Sequence, residues 1–84
     1  MSKEKIKSAV KEFILNEFLP GENPDNLKDS TGLISDGILD SMATLKLIMF
    51  LEESYDIQME PNEMGPEHLN SIETIANLVH QKKL

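Results

Sequence analysis

The sequence contains no cysteine, and this absence excludes disulfides and thiolate metal sites. Its two histidines, His68 and His80, are too few for a convincing metal site. No apolar run approaches the roughly 18 residues that a membrane-spanning helix needs, and the N-terminal stretch lacks the apolar core of a signal peptide. We therefore expect a cytoplasmic chain without a membrane span. Its 84 residues predict a single domain, 1–84, with one small core.

Basic residues are scarce in the second half of the chain. Residues 36–73 hold 9 acidic residues and only Lys46 as a base, so this stretch carries −8 while the whole chain carries −7. An acidic surface argues against nucleic acid as a partner and favours basic patches on other proteins. Such a surface can equally serve solubility alone, and the composition does not separate the two interpretations.

Apolar spacing predicts three main helices and no strand. Residues 3–18, 41–55 and 71–81 each carry apolar side chains at a spacing of about 3.6 residues. Pro61 and Pro66 can each open a short helical turn between the second and the last of these helices. The predicted fold class is therefore all-α, a small bundle of three main helices plus a short helix.

The expected caps of the later helices are polar residues. Asp40 is suited to cap the second helix, because its carboxylate can accept the free amide hydrogens of the first turn. Either Asn70 or Ser71 can cap the last helix, and Asn70 with Glu73 has the spacing of a capping box.

A long connection over residues 19–40 precedes the second helix, and loops of this length are often functional. Several prolines and glycines interrupt it, beginning with Pro20-Gly21, which is expected to end the first helix. Five apolar residues are expected to hold the connection against the core: Leu27, Leu33, Ile34, Ile38 and Leu39.

A helical wheel divides the second helix into two faces. The face interpreted as buried carries Thr44, Leu47, Ile48, Leu51 and Tyr55. The opposite face carries Met42, Ala43, Lys46, Met49, Phe50 and Glu53. A solvated face should be charged, yet three of these residues are large and apolar. Two interpretations follow: the helix is buried nearly all round, or it exposes an apolar patch that docks a partner, for which flexible methionines are well suited.

Ser41 is the candidate functional residue, because it follows Asp40 at the start of the second helix. Free amides and the partial positive charge of a helix N-terminus favour a phosphate there. A serine nucleophile would need a base, and no Ser-His-Asp arrangement is apparent. We therefore expect no enzyme, and Ser41 is better suited to be the attachment point of a phosphodiester.

The segment Gly37-Ile-Leu-Asp40-Ser41-Met42, followed by an amphipathic helix that ends Leu51-Glu-Glu-Ser-Tyr55-Asp-Ile57, resembles the signature of the acyl carrier protein family. The resemblance covers nearly the whole chain in length, acidity and helix order. It implies a covalent 4′-phosphopantetheine, derived from coenzyme A, on Ser41, with Asp40 as its motif partner and acyl groups held as thioesters on the arm.

The resemblance also implies partners. These are a phosphopantetheinyl transferase, a ligase or transferase that loads the cargo, and downstream acyl-processing enzymes with basic or apolar docking patches, as in fatty acid biosynthesis. A monomer is expected. By the same resemblance, Met42, Met49, Glu52 and Glu53 match positions that fatty-acid carriers use to meet basic partner enzymes. With Lys46 and Phe50 they form the predicted partner-docking surface of the second helix.

This docking surface departs from that of fatty-acid carriers. Ala43 and Lys46 stand where those carriers usually place acids, and Phe50 stands where a small residue is common. The resemblance therefore implies a less acidic and more apolar docking surface than that of carriers in housekeeping fatty acid synthesis.

A looser similarity to D-alanyl carrier proteins and related stand-alone aminoacyl carriers covers Gly37–Ile57, Glu63-Met64, Leu69-Asn-Ser71 and the last helix. Those carriers are loaded by a separate adenylating ligase, so the cargo stays open between acyl and aminoacyl groups. A hypothesis of a different class is a cofactor-free helical adaptor, whose apolar face would bind a partner helix.

Overall fold

The computed structural model describes residues 2–83. Four α-helices occur within this range: α1 (Lys3–Phe18), α2 (Ser41–Tyr55), α3 (Pro66–Leu69) and α4 (Ile72–Lys82). Short 3₁₀ turns lie at Pro24–Asn26 and Pro61–Glu63, and no strand is found among the described residues. The predicted all-α class is confirmed, with three main helices, one short helix and a long first loop.

The core forms mainly where α1 packs against α4. α1 contributes Ile6, Val10 and Ile14, which solvent does not reach and which repeat at the four-residue spacing of one helix face. A wider face of α4 joins the same cluster through Ile72, Ile75, Ala76, Leu78 and Val79. The predicted buried face of α2 is confirmed at Leu47, Ile48 and Leu51, whereas Thr44 and Tyr55 are half-buried.

Two residues predicted on the opposite face of α2 prove to contact the core. Ala43 is buried, and the Phe50 ring stacks on Phe13 of α1 with ring centroids 4.2 Å apart. Phe13 also meets Phe18 edge to face at 5.7 Å. A helical wheel places residues by angle alone, so it does not show that α1 covers one flank of α2. The exposed part of α2 is consequently shifted from the predicted face, away from Ala43 and Phe50 and towards Leu45.

The long connection is held against the core as expected. Leu27, Leu33 and Leu39 are buried, and Ile34 and Ile38 pack partly against the core cluster. These side chains tie the connection down at intervals, so that it reaches the start of α2 along a defined path.

Lys7 adds a polar tie between α1, the connection and α4. Its ammonium group lies 2.9 Å from the Glu73 carboxylate and 3.3 Å from that of Asp29, with Glu4 at 3.6 Å. The hydrogen bond to Glu73 and the one to Asp29 raise the pKa of Lys7 above its ordinary value. We name Lys7, Asp29 and Glu73 the Lys7 cluster.

The cap of α4 differs from the predicted capping box. Ser71 is the cap residue: its hydroxyl accepts the Thr74 amide at 3.1 Å, and the Thr74 hydroxyl accepts the Ser71 amide at 3.3 Å. The pairing of Asn70 with Glu73 is therefore wrong. Asn70 directly follows α3 and still has helical backbone angles. A residue that caps the N-terminus of a helix needs an extended backbone, and Ser71 has one.

Candidate functional site

Ser41 is the first residue of α2, and its side chain is exposed. The cap prediction for Asp40 is confirmed: its carboxylate accepts the Ala43 amide at 2.8 Å, and its carbonyl accepts the Thr44 hydroxyl at 2.7 Å. The amides of Ser41 and Met42 lie ahead of the first intrahelical bond, so they have no partner within the helix. The hydroxyl of Ser41 therefore lies beside free N–H groups at the positive end of a helix dipole.

The path to Ser41 is set by residues 32–39, which we name the pre-serine loop. Three backbone hydrogen bonds cross it: Asp36 donates to Gly32 at 2.8 Å, Gly37 to Ile34 at 3.1 Å and Leu39 to Leu33 at 2.9 Å. Gly37 has φ +81°, a left-handed conformation that favours glycine. These bonds fold the loop on itself directly before Asp40.

A groove of roughly 550 Å³ opens beside Ser41 between the pre-serine loop, α2 and α3. Its walls are mostly apolar: Ile34, Leu39, Thr44, Leu45, Ile48, Met64 and Pro66. The sequence analysis missed Leu45, Met64 and Pro66 as site residues. Leu45 could have been found, because it lies one helical turn beyond Ser41 and so on the same side of α2. Met64 and Pro66 reach the groove only through the tertiary fold.

One stripe of α2 faces solvent and runs away from Ser41. We name it the exposed stripe: Met42, Leu45, Lys46, Met49 and Glu53. Met42, Leu45 and Met49 are 71%, 58% and 53% exposed, which is unusual for large apolar side chains. Four of the six predicted docking residues lie on this stripe, and the prediction did not include Leu45.

The other two predicted docking residues have partners within the chain. The Phe50 ring is stacked on Phe13, and the Glu52 carboxylate accepts the Met59 amide at 3.0 Å. Both side chains are half-buried, so they are less available to another protein than the sequence suggests. The reason is again non-local, because α1 and the segment after α2 cover these two positions.

Residues 2–83 contain no group of three or more metal-ligating side chains and no helix long and apolar enough to cross a membrane. The Asp40 carboxylate is already bound to the Ala43 amide as the cap of α2. The groups that the site offers to a ligand are therefore the exposed Ser41 hydroxyl, the free amides beside it and the apolar groove.

No protein-family model matches the chain. The chain is 45% identical over 51 residues to the D-alanyl carrier protein of Lactococcus lactis subsp. lactis, a match over 61% of this chain and just under two thirds, 65%, of that protein. It is 30% identical over 77 residues to the acyl carrier protein of Bdellovibrio bacteriovorus, covering 92% of this chain and 94% of that one.

Among solved structures, the peptidyl carrier protein described as KstB-PCP(apo) superposes with a TM-score of 0.72 at 25% identity. The superposition covers 98% of this chain and 90% of that one, so all the main elements take part. The Bdellovibrio match likewise extends over nearly the full length of both chains. The chain therefore belongs to the carrier protein family that includes acyl carrier and D-alanyl carrier proteins, whose members are not themselves catalysts.

Proposed function

We propose that this carrier holds its cargo as a thioester on a 4′-phosphopantetheine arm attached to Ser41, and that the cargo is an acyl group. The observation that supports this most directly is the exposed Ser41 hydroxyl at the first residue of α2, in a chain of the carrier family. The arm would supply a reactive thiol, while the protein supplies position and recognition.

The residues around Ser41 suit such an arm. The free amides of Ser41 and Met42 and the dipole of α2 stabilise a phosphodiester on the hydroxyl. The groove beside Ser41, with Ile34, Leu45 and Met64 among its lining, offers apolar surface directly next to the attachment point. Asp40 would keep its structural role as the cap, since its carboxylate already accepts the Ala43 amide.

Attachment requires a phosphopantetheinyl transferase and coenzyme A. The Ser41 oxygen forms a bond to the phosphorus that carries pantetheine, and the bond from that phosphorus to the adenosine bisphosphate half of coenzyme A breaks. The hydroxyl proton passes to a base on the transferase. In this step the chain contributes an accessible hydroxyl in a fixed position.

The exposed stripe is the proposed docking surface for the transferase and for the enzymes that load and use the cargo. Its centre is apolar, and Lys46 and Glu53 give it one charge of each sign. A partner that fits it presents an apolar patch with an acidic group near Lys46. Phe50 and Glu52 would support this surface indirectly. Phe50 holds α2 against α1 by stacking on Phe13, and Glu52 binds the Met59 amide and so holds the segment after α2 against the helix.

A second candidate cargo is an aminoacyl group. The similarity to a D-alanyl carrier protein and to a peptidyl carrier protein favours it, as does an exposed stripe with no acid before Glu53. Two loading assays on the modified protein distinguish the two cargoes. One is incubation with ATP, D-alanine and a D-alanine-adenylating ligase, and the other is malonyl transfer by a malonyl transferase. Formation of a D-alanyl thioester, without malonyl loading, would assign the aminoacyl role.

The attachment is tested by intact mass after incubation with coenzyme A and a broad-specificity phosphopantetheinyl transferase. We expect a gain of one phosphopantetheine in the wild-type protein and none in Ser41→Ala. Ser54→Ala is the matched control, because Ser54 is an exposed serine on the same helix, and this variant should be modified normally. A gain in Ser41→Ala would contradict the assignment, and a folded wild-type protein that gains nothing would favour the cofactor-free adaptor.

A further inference from the structure

Asn70 connects the end of α3 to the pre-serine loop. Its side-chain oxygen accepts the amide of Ile34 at 2.8 Å and that of Ser35 at 3.0 Å. Its backbone carbonyl accepts the amide of Leu33 at 2.6 Å. Three consecutive amides of the loop are thus bound by one residue, and we name this set of bonds the Asn70 latch.

The latch is fixed to the core on both sides. Leu69 and Ile72, which flank Asn70 and the cap residue Ser71, are fully buried. Asn70 therefore has little freedom to move, and it fixes the amides of Ile34 and Ser35 in the stretch between the buried side chains of Leu33 and Leu39. Its side-chain amide lies 3.5 Å from the Ser35 hydroxyl, a weak contact beside the two short bonds that its oxygen accepts.

A short series of hydrogen bonds leads from the latch to the candidate site. Leu33, which donates to Asn70, accepts the amide of Leu39, and Leu39 directly precedes Asp40-Ser41. The latch also meets the groove beside Ser41. Ile34, whose amide Asn70 binds, lines that groove, and so does Pro66 at the start of α3.

We propose that Asn70 is a positioning residue that places Ser41 for modification and holds Ile34 at the groove beside it. The proposal rests on attachment at Ser41, as argued above. What Asn70 supplies is one acceptor oxygen at the correct distance from two loop amides. Without that oxygen both amides lose their partner, and the loop gains the freedom to shift together with Ser41.

Asn70→Ala and Asn70→Asp test this, because aspartate keeps the acceptor oxygen and alanine removes it. For each variant we would measure kcat and KM of phosphopantetheine transfer with the carrier as the varied substrate, and hydrogen exchange at the amides of Ile34 and Ser35. In Asn70→Ala we expect faster exchange at both amides and a loss in kcat of about tenfold, as a shifted reactive group produces. KM should stay near the wild-type value, because the exposed stripe is unchanged, and Asn70→Asp should restore both readouts.

The outcomes separate this inference from the proposed function. A wild-type protein that is not modified contradicts attachment at Ser41. A modified wild type, together with a folded Asn70→Ala of wild-type kcat, contradicts the positioning role of Asn70, and so does unchanged exchange at the two amides. Should Asn70→Ala fail to fold, Asn70→Ser provides the same comparison, because its hydroxyl ends short of the loop amides but remains polar.

Discussion

At the scale of the residue, Asp40 shows how one side chain can be required by the fold and lie beside the function. Its carboxylate closes the first turn of α2 by accepting the Ala43 amide. The next residue is Ser41, so the cap also fixes the position of the exposed hydroxyl at the start of α2. A change at Asp40 can therefore act through stability, through the position of Ser41, or through a partner that reads the charge.

A pair of substitutions separates these effects. Asp40→Ala removes the cap and should lower the free energy of unfolding by about 1 kcal/mol. Asp40→Asn retains an acceptor oxygen and should cost much less, since asparagine is also a good cap residue. Urea denaturation at neutral pH measures both. Equal losses in the two variants would show that the charge, and not the capping hydrogen bond, stabilises the helix.

At the scale of the element, local patterns predict the helices well and the contacts between them poorly. The bounds of α1 and α2 agree with the predicted ranges, because their apolar spacing and the cap at Asp40 are local. Asn70 and Phe50 show where such reasoning fails. Each has a partner far along the chain, the pre-serine loop and Phe13 respectively, and one sequence carries no sign of either pairing.

The same limit applies to the candidate site. The start of α2 at Ser41 and its cap at Asp40 could be predicted from their neighbours in sequence, and the structure shows both, while the role of Ser41 as an attachment site stays a prediction. The groove could not be predicted, because its walls come from three separate segments.

The turn at Pro61–Glu63 is joined to the end of α4 by an ion pair, which makes the stability of this junction depend on pH. The Glu63 carboxylate lies 2.7 Å from the Lys82 ammonium group. The hydrogen bond to Lys82, and after it the Glu60 amide, hold the pKa of Glu63 below its ordinary value. A carboxyl whose pKa is lower in the folded state stabilises the fold when ionised, and this contribution is lost as the pH falls through the folded-state value.

Glu63→Gln should therefore be less stable than wild type at neutral pH. The difference should shrink as the pH is lowered below the ordinary glutamate value of 4.5 and through the depressed value in the folded protein. Urea denaturation of both proteins across an acidic pH series measures this. A difference that does not change with pH would show that the ion pair has no part in it.

At the scale of the whole molecule, charge and apolar surface are separated. The chain carries −7, yet residues 41–51 contain no acid, and Asp36 and Asp56 lie beyond the two ends of α2. An approaching protein would feel the acidic surroundings from a distance and then meet a nearly neutral, apolar stripe. Acidic residues outside the exposed stripe thus provide the long-range attraction, and the apolar side chains of the stripe provide the close contact.

This arrangement predicts that Met49→Ala raises KM for the phosphopantetheinyl transferase by about tenfold and leaves kcat little changed, because an exposed apolar anchor is lost. Asn77→Ala is the matched control, since Asn77 is exposed on α4 and away from the exposed stripe. Steady-state kinetics with the carrier as the varied substrate measure both variants. The docking role of the stripe would be contradicted if Met49→Ala behaved like Asn77→Ala.

The Lys7 cluster has a consequence for folding kinetics. Lys7, Asp29 and Glu73 belong to α1, the long connection and α4, so the complete cluster forms only when all three parts have met, and we expect this late in folding. Interactions that are absent from the folding transition state act on the rate of unfolding and leave the rate of folding nearly unchanged. We therefore expect the Lys7 cluster to lower the rate of unfolding, and so to prolong the lifetime of the folded chain.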